Sequence, residues 1–322
     1  MNGHDGDSAQ ARSLVETAPA RVVEVDAARH TMTGDAAPPG TSKRPEQPGP
    51  PFDHWQHLTT TELAAIATAA TVAVLPVAAV EAHGPHLPLG TDAIINAGIL
   101  ASAGARLGDG PPVLILPELS VGHSLEHSAF PGTLNAAAET LLALWTDVGR
   151  AVAAAGVRRL VLFNSHGGQR ALVDLTALRL RAECGLLVAR ADWFALGVPD
   201  GLFAAEELAF GLHGGEVETS LMLALRPDLV RFDQAQDFQG LPARLGAGQG
   251  LLGAEVPVGF GWMSQDLHPA GVCGHAARAD AERGARLLDY LGQRLAALLR
   301  EVAAFPLDRL GQALGRLPGG GA

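Results

Sequence analysis

Glu81 and Asp92 bracket two imidazoles, His83 and His86, in a segment that directly follows the apolar run Val72–Val80. Oxygen and nitrogen donors of this kind suit zinc, manganese or iron, and no thiolate lies close enough in sequence to suggest a structural zinc knuckle. If Val72–Val80 is a buried strand, Glu81 and His83 leave its end on one face, because side chains two apart in an extended chain point the same way. Gly84 and Pro85 then turn the chain, and Asp92 returns at the start of a helix expected over Asp92–Leu107.

Two other stretches carry the same chemistry. Asn164-Ser-His166-Gly167-Gly168 follows a second apolar run, and His213-Gly-Gly-Glu216-Val-Glu218 opens a later helical pattern. Glu81, His83, Asp92 and His166 together could hold two divalent cations, with Asp92 bridging. A third carboxylate is then needed, because three carboxylates and one hydroxide neutralise two M²⁺ ions, the state most easily buried. Glu216 and Glu218 point about 200° apart on a helix, so one of them faces the cations, and Glu218 is the candidate. A two-metal site typically holds its ions ~3.5–4 Å apart and lowers the pKa of a bridging water towards ~7 while polarising a carbonyl. That is machinery for amide hydrolysis by a metal-activated water, with Glu218 and His213 as catalytic candidates and His213 as proton donor to the leaving nitrogen.

A lone histidine at a strand end is more often structural, and a buried tryptophan is more often core than substrate platform. It is the joint occurrence of these patterns that argues for a site. His86 is read as a partner of the ligands. The loop Ser120–Thr133, punctuated by Gly and Pro, either lines a pocket or forms a surface turn. Ser124 and His127 from that loop, Gly167 beside His166, and Trp193 just beyond the strand ending at Arg190 are the candidate substrate contacts.

These residues need a scaffold that brings strand ends together. Strands are expected at Val72–Val80, Val113–Leu116, Leu160–Asn164 and Leu186–Arg190. Helices alternate with them at Asp92–Leu107, Ala136–Ala155 and Gln169–Glu183, with later helices at Glu216–Leu225 and Ala276–Ala304. This alternation predicts an α/β fold, a doubly wound, mainly parallel sheet flanked by helices, in which ligands bind beyond the carboxyl ends of the strands. Thr59 and Glu62 have capping-box spacing for a first helix. The expected organisation is a flexible leader over 1–52, one domain over 53–310 and a flexible tail over 311–322.

Composition narrows the partners. With 322 residues, 48% hydrophobic and 18% charged, the chain suits one large globular domain, and a net charge of −11 disfavours nucleic acid and anionic membranes. Lys43 is the only lysine and lies in a Pro-rich stretch, which removes Walker-type NTPases and Schiff-base enzymes. Cys184 and Cys273 form no CxxC pair, the first residues show no apolar stretch with a basic front end, so no secretory signal is expected, and Leu63–Val80 is interrupted by Pro76 and flanked by glutamates. A cytoplasmic protein with no membrane span and a small-molecule amide substrate is the expectation.

From Leu75 to Ala304 the chain resembles the creatininase family of metal-dependent amidohydrolases. The motifs that carry the resemblance are LPVAAVEAHGPHLPLGTD, SLEHSAFPGT, FNSHGGQ, HGGEVETSLMLAL and GVCGHAARADAERG. It implies a single creatininase-like α/β domain, two divalent metal ions per subunit (Zn, Mn or Fe) and a homo-oligomer, typically a hexamer. In family terms Glu81, Asp92 and His166 resemble the ligands of one ion, and His83 and Asp92 those of the other. Creatinine-cleaving members complete the second site with a glutamate where Gly168 stands here, and Glu218 is the candidate to replace it. Ala82 and His275 also depart from the creatinine pattern, and Leu208–Leu212 lacks the Trp-Asp pair of those enzymes. The expectation is therefore a hydrolase of a non-peptide, possibly cyclic C–N bond. The family also offers formamide hydrolysis and peptide trimming, and the class outside catalysis is a metal-dependent binding or assembly protein.

Overall fold

The computed structural model describes residues 52–246, 248 and 250–315. In chain order the elements are β1 (Phe52–His54), α1 (Thr60–Ile66), β2 (Val72–Val77), α2 (Thr91–Gly104), β3 (Val113–Ile115), α3 (Ala138–Ala154), β4 (Arg159–Asn164), α4 (Arg170–Cys184) and β5 (Leu187–Asp192). There follow α5 (Ala205–Phe210), α6 (Glu216–Leu225), β6 (Asp237–Phe238), α7 (Leu241–Gly246), α8 (Ser264–Leu267), β7 (Gly274–His275) and α9 (Ala281–Ala304).

Every residue of β2 and β4 is buried, as expected of strands covered on both faces. Their alternation divides the core. Val72, Val74, Val161 and Phe163 pack under α2, α6 and α9 against Ile95, Leu221 and Leu291. On the opposite face Ala73, Leu75, Val77, Leu160 and Leu162 meet Trp145 of α3 and Leu180 of α4. The main sheet has the order β1-β3-β2-β4-β5, all parallel. From β2 the connections run outward in opposite directions, so the carboxyl end of β2 is the topological switch point at which such sheets bind ligands.

The doubly wound parallel sheet matches the sequence expectation, with shifts that have local causes. Of the run Val72–Val80, β2 takes only Val72–Val77, ending where its partner β4 ends, with Val77 opposite Asn164. Pro76 sits in this central strand without orphaning a ladder bond. Its carbonyl accepts from Leu119 N (3.0 Å) on the β3 side, and its ring nitrogen faces that same side, beyond the end of β3. Helix α9 begins at Ala281 rather than Ala276, because the Asp280 side chain caps it by accepting from Arg283 N (2.8 Å). The Thr59–Glu62 capping box is formed at α1.

Sequence periodicity does not reveal β1 or the antiparallel ribbon β6–β7, whose three- and two-residue strands are too short to show alternation. Most of the expected leader and tail lies outside the described residues, although Phe52 already belongs to β1. Residues 311–315 return to α4, where Leu314 N donates to Ala182 O (2.7 Å). Among the described residues no helix is long and apolar enough to cross a membrane.

Candidate metal centre

The loop leaving β2 is pinned back on itself when Glu81 N donates to Leu89 O (2.9 Å). This hairpin sets Glu81 and His83 over the first turn of α2, where Asp92 lies. Asn96, one helical turn beyond Asp92, donates to Phe163 O (3.1 Å) and Ser165 Oγ (3.2 Å), fastening α2 to the end of β4. His166 emerges from that end. Its backbone N donates to Asn164 Oδ1 (3.1 Å), which also accepts from Gln169 Nε2 (2.9 Å). The stretch from α5 to α6 brings in His213 and Glu218, and Glu218 Oε2 accepts from Gly214 N (2.7 Å).

All five expected ligands converge. Candidate ligand atoms of Glu81, Asp92 and His166 form one group, those of His83, Asp92 and Glu218 a second, and Asp92 is shared. Glu81, His83 and His213 form a third. His166 Nδ1 lies 3.1 Å from Glu81 Oε2 and 3.6 Å from Asp92 Oδ2. His83 Nε2 lies 3.2 Å from Asp92 Oδ1 and 3.9 Å from Glu218 Oε2. Glu216, the other candidate carboxylate, is buried and paired with Arg283 of α9, so it turns away from the cluster.

The hydrogen bonds decide what these close approaches mean. In each imidazole one nitrogen faces a backbone carbonyl: His83 Nδ1 meets Glu81 O (3.1 Å), His166 Nε2 meets His123 O (2.9 Å) and His213 Nε2 meets Ala82 O (2.8 Å). A neutral ring that donates there presents a bare lone pair at its other nitrogen, aimed at the carboxylates. Glu81 Oε2, His83 Nε2 and Asp92 Oδ2 are accordingly buried without a hydrogen-bond partner. With the rings neutral, these lone pairs gather around one spot and fit a bound cation, the charge that protons on the rings would otherwise supply.

The proton affinities show the same field. Burial favours neutral His83, but the Asp92 and Glu218 carboxylates outweigh it and hold the imidazole up at about 9. Burial likewise opposes charge on His166, yet Glu81 and Glu126 raise it well above its ordinary value. Asp92 is pushed up to about 7 by burial and by repulsion from Glu81. By contrast, burial and the neighbouring histidines lower His213, and burial with His213 takes His127 down to about 2. The centre of the pocket is thus strongly negative, and His213 and His127 stay neutral at its wall. The rings of His83 and His127 flank that of His213 at 4.1 and 4.2 Å between centroids, tilted by 39° and 35°.

The candidate substrate contacts divide. His127 Nε2 lies 3.5 Å from Glu81 Oε1, and Gly167 has open space beside its Cα. Ser124 is buried at the base of its loop, with Oγ unpartnered. Trp193 departs from expectation: its ring is buried in the core with Leu291 and Phe203, out of reach of a substrate at the strand ends. His86 reaches Thr219 Oγ1 (2.9 Å), tying the metal-site loop to α6 rather than touching a ligand. Two supports escape a sequence reading, Asn96 and Gln169. The first could have been suspected from its one-turn spacing to Asp92, the second from its place after His166-Gly-Gly. A cleft of about 530 Å³ opens from Leu212 and Arg170, next to the His213 and His166 segments, and is walled by Phe210, Leu245, Leu252 and Val256.

Comparisons with known proteins converge on one family. The creatininase family model, described as creatinine amidohydrolase, matches residues 56–299. The mycofactocin precursor peptide peptidase of Mycobacterium ulcerans is 32% identical over 216 residues, 65% of this chain and 76% of its own length. Its counterpart in Mycobacterium tuberculosis is 35% identical over 162 residues, and the match spans 48% of this chain and only 59% of that protein. Creatinine amidohydrolase of Pseudomonas putida is 32% identical over 176 residues, 49% of this chain and 66% of its own. A solved creatininase described with manganese superposes with a TM-score of 0.63 at 27% identity, covering 78% of this chain and 99% of that one. A zinc–zinc creatininase mutant also gives 0.63, at 26% identity, covering 78% and 98%. With its parallel sheet, its carboxylate–histidine cluster at the switch point and a family match over most of its length, the chain belongs to the creatininase family of metal-dependent amidohydrolases.

Proposed function

We propose that this hydrolase holds two divalent cations and cleaves an amide bond near the end of a short peptide. The observation that carries the two-ion reading is the sharing of Asp92 by two ligand groups, Glu81–Asp92–His166 and His83–Asp92–Glu218. Such cations, when bound, supply Lewis acidity that acidifies water and polarises a carbonyl. His213, held neutral by burial, keeps Nδ1 free 3.8 Å from Glu81 Oε1 and would take up there the proton released by the attacking water and pass it to the leaving nitrogen. Glu218, at the edge of the cluster, closes the second ligand set. His127 and Gly167 line the approach, and Ser124 holds its loop.

Peptide trimming is favoured by the mycobacterial relatives, which are described as peptidases of a precursor peptide. Turnover of a small cyclic amide or formamide is the second reading, supported by the similarity to creatinine amidohydrolase. We further propose a cytoplasmic homo-oligomer, a hexamer on the family pattern, which light scattering would check.

The test is hydrolysis of short peptides, creatinine and formamides before and after chelation, with metal content measured alongside. Cleavage near one peptide end that disappears on chelation and returns with zinc or manganese is expected. Turnover of creatinine alone would move the second reading ahead. Metal binding without turnover of any substrate class would favour the non-catalytic binding protein, and activity that survives full demetallation would reject the metal reading.

A further inference from the structure

Glu126 belongs to none of the three ligand groups, yet its carboxylate lies against one of their members. Oε1 is 3.3 Å from His166 Nε2 and 3.9 Å from His127 Nε2. This is the side of the His166 ring opposite Nδ1, the nitrogen that faces Glu81 and Asp92. Glu126 thus stands behind the ligand rather than among the ligand atoms.

The backbone has made room for it. A side-chain carbon on Gly168 would fall on Glu126 Oε1 and come within 2.6 Å of both Glu126 Cδ and His166 Nε2. Gly168 is not among the glycines with positive φ, so conformational freedom does not explain the residue, whereas space does. The loop that presents Glu126 is locked to the His166 turn. His123 N donates to Gln169 Oε1 (3.2 Å), and Ser124 N donates to Asn135 Oδ1 (2.9 Å). One short loop therefore offers His166 Nε2 two acceptors, the His123 carbonyl at 2.9 Å and the Glu126 carboxylate. The carbonyl is enough to orient the proton. The carboxylate adds negative charge, which makes the ring a stronger donor to a cation on its other side.

We infer that Glu126 is a positioning residue for the metal centre, seated in the space left by Gly168 and holding His166 with its Nδ1 lone pair on the cation shared with Glu81 and Asp92. The inference rests on the two-ion reading above. In that arrangement the carboxylate that creatinine-cleaving relatives are expected to carry at the position of Gly168 is absent, and a glutamate from a different loop uses the vacated volume for a different task.

The experiment is chelator competition on the full chain, with ions per subunit followed by elemental analysis in the parent, Glu126→Gln and Glu126→Ala. Loss of an outer-shell partner typically weakens metal binding by ~10–100-fold. We expect a drop of that size for one of two ions in Glu126→Gln, at least as large in Glu126→Ala. The other ion should stay within about twofold, well inside the outer-shell effect. The thermal midpoint of the metal-free protein reads the structural alternative. Because glutamine keeps the size and shape of Glu126, that midpoint should match the parent in Glu126→Gln, and a lower midpoint with unchanged metal affinity would overturn the inference. So would two ions held with parental affinity in both variants, which would leave the two-ion reading standing. A parent that binds no ion would overturn both.

Discussion

The two halves of the metal centre are built in different ways. Glu81, Asp92 and His166 hang from β2, α2 and β4, at the centre of a parallel sheet whose strands are buried on both faces. His213 and Glu218 hang from α6 and the segment before it, where His213 pairs with Cys273 at the entry to β7. The sheet half is held by ladder bonds and two core clusters. The other half shares the first of those clusters through Leu221 and Met222 of α6, and is fastened besides by one buried carboxylate, Glu207 of α5, which accepts from Glu216 N (2.6 Å) at the start of α6 and from His275 N (2.8 Å) in β7. A Cβ on Gly274 would approach Glu207 Oε1 to 2.8 Å, so the ribbon needs glycine there to admit that carboxylate. A site can therefore combine a half set directly at the strand ends of a sheet with a half whose helix, though packed in the same core, is aimed by a few buried polar contacts.

Asp92 joins the halves, and its removal should have the largest effect. Asp92→Ala is expected to lose both ions and all measurable turnover, read by elemental analysis and by hydrolysis. If one ion remained at parental affinity, the halves would be independent and Asp92 would not bridge. Next comes Glu218→Gln, which should leave the sheet half loaded, with about one ion per subunit where the parent holds about two. Loss of both would show that the ribbon side governs the whole centre.

Glu207→Gln sharpens the contrast through stability. A glutamine keeps one acceptor oxygen for two backbone donors, so about 1–3 kcal/mol should be lost, as for a buried donor left unsatisfied. Denaturant unfolding of parent and variant measures it. The pH dependence has a definite sign. Burial raises the Glu207 carboxyl above its ordinary 4.5, so the folded state holds more protons than the unfolded one above that pH. The parent is thus favoured below 4.5 and loses that advantage as pH rises through the folded value, and the gap to Glu207→Gln should narrow along the way. A gap that widened with pH would mean that the charged form is the one the fold prefers.

The smallest effect is a chemical probe of the same contrast. Cys273 sits in the ribbon half, with its N donating to His213 O (2.7 Å), and burial pushes its thiol up to about 12. Cys184 ends α4 on the sheet side and is partly exposed. Alkylation of the native protein should therefore modify Cys184 well before Cys273, and mass spectrometry of the labelled peptides reads the order. Fast labelling of Cys273 would show that the ribbon half opens locally while the sheet half stays closed.

How far the sequence reaches follows from the range of each interaction. Alternating apolar runs and amphipathic stretches dictated the doubly wound α/β fold, because burial of one or both strand faces is a local pattern with a fixed period. The E-x-H spacing put Glu81 and His83 on one side of a strand end, and the i, i+2 spacing of Glu216 and Glu218 meant that only one could face inward. Which one it would be was a matter of tertiary structure: Arg283, far along the chain on α9, takes Glu216. Likewise, nothing local distinguishes Trp193 in the core from Trp193 at a substrate, since a tryptophan past a strand end suits either until the packing of α9 covers it. The approach of Glu126 to His166 across Gly168 depends on two loops meeting in space. The sequence alone determined the donors and the scaffold, while the tertiary structure decided which lone pairs converge and which carboxylates stand behind them.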